Sequence, residues 1–110
     1  MAGEHFIERL LEDEGLVGDL DDAEASRLVE TLTNRALFAC QRSKTVADAE
    51  VAVGRIRQFG RDVSEVVSTW RDEGPARAAE LAKQHKLPWP PPNATTPADV
   101  LRWLLQYLPA

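Results

Sequence analysis

Cys40, His5 and His85 are the only thiol and imidazole side chains in this sequence, and they bound the transition-metal and nucleophile chemistry open to it. No two of them stand at the short spacing by which one helix or knuckle presents paired ligands to zinc. Nucleophilic catalysis at Cys40 would need an oriented base beside it. Its neighbours Ala36 and Ala39 instead make it a small side chain on a helix flank. Neither a catalytic residue nor a metal or cofactor site is expected.

Carboxylates are the next candidates. Asp19, Asp21 and Glu30 match the first, third and twelfth positions of a calcium loop, where oxygen ligands would surround a hard cation. The middle of that match fails: Ala23 replaces an oxygen ligand and Glu24 stands where the turn requires glycine. The same residues read more simply as the acidic N-terminal cap of a helix. The many other acids of the first 30 residues fall on outward helix faces, without the apolar setting that raises a general acid's pKa. The six glycines are scattered, so no loop resembles a phosphate cradle.

Arg55, Arg57 and Arg61, with Arg35, Arg42 and Lys44 close in sequence, could track a nucleic-acid backbone. A recognition helix here would begin Val46, Ala47, Asp48, Ala49, Glu50, whose apolar and acidic groups suit neither base edges nor phosphates. Charge partition offers a different role. Residues 1–30 hold ten acids and two bases, residues 31–61 two acids and six bases, and residues 62–110 six acids and five bases. Pairing of the acidic first stretch with the basic second, within or between chains, accounts for the arginines without nucleic acid.

The elements that must position these groups are helices. The chain of 110 residues, 44% hydrophobic and 28% charged, suits a single domain over residues 1–110 with one core. Phe6, Ile7, Leu10 and Leu11 predict a first helix from about Glu4 to Glu14, ended by Gly15. Leu16, Val17 and Leu20 then form an apolar plug folded over neighbouring helix ends. Asp21 or Asp22 caps a second helix to about Arg42, whose inner stripe is Ala25, Leu28, Val29, Leu32, Ala36 and Ala39.

Thr45 caps a third helix of up to 25 residues. Val46, Ala49, Val53, Ile56, Gly60, Val63, Val67 and Trp70 alternate steps of three and four along it. Gly60, on that seam, admits a close helix approach or marks a bend. Gly74 and Pro75 separate it from a short alanine-rich helix ending near Lys86. Residues 87–93, rich in proline, form an extended strap with Trp89 turned inward, and their Pro-x-x-Pro spacing reads as a connector before a groove ligand. Thr96, Pro97 and Asp99 open a last helix that ends before Pro109.

The fold expected is therefore all-α: a compact bundle of about five helices, with a long central antiparallel helical hairpin and the strap before the C-terminal helix. The lone cysteine and the acidic N-terminal stretch without an apolar signal core favour a reducing, cytoplasmic setting, and no apolar run is long enough to span a membrane.

The last helix makes the case for a partner. Leu101, Leu104, Leu105 and Leu108 cover an arc wider than one core-facing stripe, and Trp103 and Tyr107 extend its edge. Leu37 and Phe38 project away from the stripe of the second helix. These eight residues are the expected contact surface of a protein interaction, adaptor or self-associating regulatory domain, its partner another protein or a second copy. Arg55, Arg57 and Arg61 would add electrostatic selectivity. Two alternatives stand beside this reading: a nucleic-acid-associated protein using the arginines, and a ligand-binding bundle with a pocket among Trp70, His85, Trp103 and Tyr107.

Overall fold

Four short signals partition the chain. Asp21 accepts the Glu24 backbone N–H at 2.7 Å while the Glu24 carboxylate accepts the Asp21 N–H at 3.2 Å, a reciprocal capping box. Thr45 and Thr96 each accept a backbone N–H from the aspartate three residues on. Gly74, at φ 98°, adopts a left-handed backbone that a side chain would strain, and Pro75 follows as the first helical residue.

The computed structural model describes residues 14–18 and 20–109, and among these there are helices and no strands. They are α1 (Glu14–Val17), α2 (Asp22–Arg42), α3 (Val46–Glu73), α4 (Pro75–Gln84) and α5 (Pro97–Leu105). Four of them run nine residues or more and correspond to the second to fifth of the about five helices expected, and α1 begins at the first described residue. The first predicted helix, from about Glu4 to Glu14, lies outside the described residues.

The 28 residues of α3 span about 42 Å at 1.5 Å per residue. The whole fold measures 41 × 24 × 20 Å, so α3 is its axis. Every other helix touches α3, and α5 also touches α2. The core is built where they meet: Leu28 and Leu32 from α2, Ile56, Val63 and Val67 from α3, Ala78 and Ala82 from α4, and Val100, Leu101 and Leu104 from α5. Full burial of a Leu, Ile or Val side chain stabilises by about 1.5–3 kcal/mol. The alanines contribute by letting α4 approach α3 closely.

Gly60 marks a close approach within the uninterrupted α3. A Cβ there would stand 2.5 Å from Leu32 Cδ1 and 2.9 Å from Leu16 Cδ1. Two expectations change with this contact. Leu16 plugs the middle of the bundle and not its helix ends, and Gly15 sits inside α1 instead of terminating a helix. Further along, α4 stops at Gln84, short of Lys86. Lys86 takes φ 59°, the Leu87 N–H returns to Ala82 O at 2.8 Å and the Lys86 N–H to Lys83 O at 3.1 Å, the Schellman pattern of helix termination. In the strap, Leu87 and Trp89 pack against the core.

Candidate functional site

Burial along α3 is uneven. Its buried residues are Ile56, Gly60, Val63, Ser64, Val66, Val67 and Ser68, so none falls in the first ten residues of the helix. The hydrophobic seam, by contrast, starts at Val46. Ala52 and Val53 are partly buried against the core, so the seam runs about two turns beyond it, through Ala49 and Val46, toward the turn that joins α2 to α3.

That turn is three residues long. Ser43 Oγ donates to Ala39 O at 2.7 Å and the Ser43 N–H to Cys40 O at 3.3 Å, closing α2. Thr45 then opens α3. Around it lie four of the five large apolar side chains that are exposed among the described residues: Leu37 at 44%, Phe38 at 51%, Val46 at 76% and Val51 at 56%. The Arg42 guanidinium carbon lies 5.4 Å from the centre of the Phe38 ring, a cation–π contact that holds Phe38 beside a positive charge. Arg42, Lys44 and Arg55 are exposed on this end, as are Asp48 and Glu50. The exposed apolar residues thus stand among three bases and two acids.

The sequence-derived contact surface divides in two. Leu101 and Leu104 are fully buried and Leu105 and Leu108 nearly so, which removes all four from the surface. The reason is the position of α5: it touches both α2 and α3, and the two neighbours use the wide arc that a single core face could not. Trp103 is half-buried and meets Tyr107 edge to face, ring centroids 5.1 Å apart, leaving Tyr107 exposed. Leu37 and Phe38 are exposed on α2. Val46 and Val51 complete the exposed end. Val46 was missed because seam periodicity says which side of a helix is apolar but not how far along it a neighbour extends, whereas Val51 stands off the seam, as Leu37 and Phe38 stand off the stripe of α2.

Arg55 and Arg61 are exposed and Arg57 half-buried, and Arg57 and Arg61 are each engaged in an interaction within the chain. The residues of the possible ligand pocket are only partly assembled. Trp103 and Tyr107 meet, while His85 is held elsewhere, Nδ1 3.4 Å from Asp62 and Nε2 3.0 Å from Glu65. His85 thereby ties the end of α4 to α3.

Polar groups of the partial calcium-loop match are used internally. Asp21 is the α2 cap, and Asp19 lies outside the described residues. Glu24, 5% exposed, also receives the Arg71 guanidinium, with Asp21 at 4.0 Å from the same nitrogen. Its burial departs from the expectation that these acids face solvent, and its place in line with Leu28 and Leu32, at i, i+4 and i+8, is the signal that could have marked it as inward-facing. Asp99 accepts from the Thr95 N–H, Arg102, the Thr95 hydroxyl and the Thr96 N–H. These bonds hold its carboxyl well below the usual carboxylate range, the Thr95 backbone bond first among them.

Among the described residues no cluster of three or more His, Cys, Asp or Glu could hold a metal ion, and no helix is long and apolar enough to cross a membrane. No protein-family model, no curated protein and no solved structure matches this chain.

Proposed function

We propose that this chain is a protein-interaction domain whose α2 and α3 form an antiparallel helical hairpin, with the turn end of that hairpin as its contact surface. The partner is an acidic amphipathic helix of another protein. The observation that carries the reading is the concentration of Leu37, Phe38, Val46 and Val51 on one end of the fold, within a predominantly basic rim. Exposed large apolar side chains gathered at one end of a fold among polar groups suit a contact surface better than ones scattered singly over it. The hairpin geometry is supported by pairings along its length: Arg71 with Glu24, and Leu32 against Gly60. No catalytic step is assigned. A cytoplasmic setting fits the single thiol.

The reading is tested by nuclear magnetic resonance titration of the full chain with a synthetic helical peptide bearing leucines at helical spacing and glutamates elsewhere. Saturable shifts confined to residues 35–55, lost in both Phe38→Glu and Val51→Glu, are expected. Absence of shifts, or shifts spread evenly over the chain, would overturn the reading. Light scattering on the same samples separates partner binding from self-association.

A further inference from the structure

His85, the residue that caps the C-terminal end of α4, places its ring between two carboxylates of α3. Nε2 lies 3.0 Å from Glu65 Oε2 and Nδ1 lies 3.4 Å from Asp62 Oδ1. Asp62 and Glu65 are three residues apart and so neighbours on one side of the helix. The Gln58 side-chain amide donates to the same Asp62 oxygen at 3.0 Å and steadies it. The Asp62 side chain is 17% exposed and that of His85 26%, so this contact is partly withdrawn from water, whereas Glu65 lies open at 56%.

An ionised carboxylate can only accept, so each of the two is matched by a ring nitrogen that carries a proton. The imidazolium presents an N–H to both. A neutral ring has one N–H and one lone pair, and in either tautomer the lone pair faces one of the carboxylates. Other charges around the ring are few among the described residues. Lys83 and Lys86 flank it in sequence and are exposed, Arg61 beside Asp62 is exposed and engaged within the chain, and the strap over residues 87–96 has no titratable side chain.

The ring also stands at a junction. The His85 N–H closes on Leu81 O at 3.0 Å, the Leu87 N–H returns to Ala82 O at 2.8 Å, and Leu87 then enters the strap and packs against the core. We propose that His85 is a proton-dependent clasp between α3 and α4. Charged, the ring holds the end of α4 and the entry to the strap against both Asp62 and Glu65. Neutral, it keeps one carboxylate and the junction loosens, while the buried Leu81 and Ala82 keep α4 on the bundle. The clasp is independent of the turn-end reading, since its three residues lie on the second half of α3 and on α4.

Amide hydrogen exchange of the full chain, corrected for the intrinsic effect of pH on exchange, tests the clasp. Protection of the His85 and Leu87 amides is compared on either side of the ring's own titration, followed through its carbon-bound protons. His5 is the only other histidine, and His85→Gln identifies the ring signals. Protection is expected to fall about threefold as the ring loses its proton, the size of one partly exposed ion pair, with the Val63 and Val67 amides unchanged. His85→Gln has no proton to lose there, and in Asp62→Asn/Glu65→Gln each side-chain amide can donate or accept and so serves either state of the ring. Both variants are expected to show protection that does not vary over the same range. The proposal is overturned if the parent's protection is equal on both sides of the titration, if the fall persists in His85→Gln, which would assign it to another group, or if it persists undiminished in the double variant, which would free it of the two carboxylates.

Discussion

The two halves of α3 have the same kind of sequence and are covered to different degrees. Val46, Ala49 and Val53 continue the spacing of Ile56, Gly60, Val63 and Val67, yet full burial begins at Ile56, with Ala52 and Val53 only partly buried against the core before it. The difference is what stands beside each half: the second meets α4, α5, α2 and Leu16, while the first carries an exposed apolar end beyond them. An apolar stripe is thus a capacity for packing, and the length of the neighbouring elements decides where that capacity is used.

The comparison breaks most readily by truncation. Leu104→Ala removes a fully buried side chain from the α5 wedge and is expected to cost about 2–5 kcal/mol, the usual range for such cavities. Val46→Ala and Val51→Ala are expected to stay within about 0.5 kcal/mol of the parent. Urea unfolding followed by circular dichroism measures all three. Comparable losses for Val51→Ala and Leu104→Ala would mean that the turn end is packed like the core.

At the other end of α2 the polar group is buried and fully used. Glu24→Ala removes the capping box, leaves Arg71 without its nearest carboxylate and opens the space of a 5%-exposed side chain. A cost of about 2 kcal/mol is expected, toward the low side for a broken buried pair because Arg71 keeps Asp21 near it and is itself partly exposed. Glu30→Ala, on the exposed side of the same helix, is the control, with little change expected. A Glu24→Ala cost no larger than that of Glu30→Ala would show that the pair does not hold the two helices together.

Much of this was legible in advance because the signals are local. Asp21, Thr45, Gly74 and Thr96 are helix boundaries that depend only on a few neighbouring backbone groups, and each stands where it was expected. The contact surface was legible only in part. Phe38 and Leu37 point away from α2's stripe whatever α2 packs against. The burial of Leu101, Leu104, Leu105 and Leu108, by contrast, depends on α5 lying against two helices at once, a relation between elements far apart in the chain. The exposure of Val46, which lies on the seam, depends on how far along α3 the neighbouring elements reach. Neither is written in the periodicity of a single segment.

Two glycines on α3 sharpen the comparison with one residue type. Gly60 in the buried half has no room for a methyl group, since both Leu32 and Leu16 would have to move. Gly54, near the end of the exposed half, has nothing within 4 Å of its Cβ position. Alanine gains up to about 1 kcal/mol over glycine inside a helix. Overpacking typically costs about 1–3 kcal/mol. Gly60→Ala is therefore expected to destabilise by about 1 kcal/mol and Gly54→Ala to stabilise by about 0.5–1 kcal/mol. A matching sign in thermal unfolding of the two variants would erase the distinction between the halves.

The smallest expected effect compares two helix starts with nearly the same sequence, Thr45-Val46-Ala47-Asp48 at the exposed turn and Thr96-Pro97-Ala98-Asp99 at the start of α5. In both, the threonine hydroxyl accepts the aspartate N–H. Only Asp99 also returns its carboxylate to the backbone, accepting the Thr95 and Thr96 N–H groups at 3.1 Å each, with Arg102 beside it. These bonds favour its ionised form in the folded chain, so the unfolded chain binds the proton more readily. Stability from this group is complete above the unfolded carboxylate value of about 4 and declines as pH falls below it toward the depressed folded value. Asp99→Asn is expected to flatten the acid limb of the stability–pH curve below about pH 4 relative to the parent. Urea midpoints measured from pH 2 to 7 test this. An acid limb unchanged by Asp99→Asn would place the acid sensitivity of the fold in other carboxylates, and the reciprocal cap of α5 would then add no more than the one-sided cap of α3.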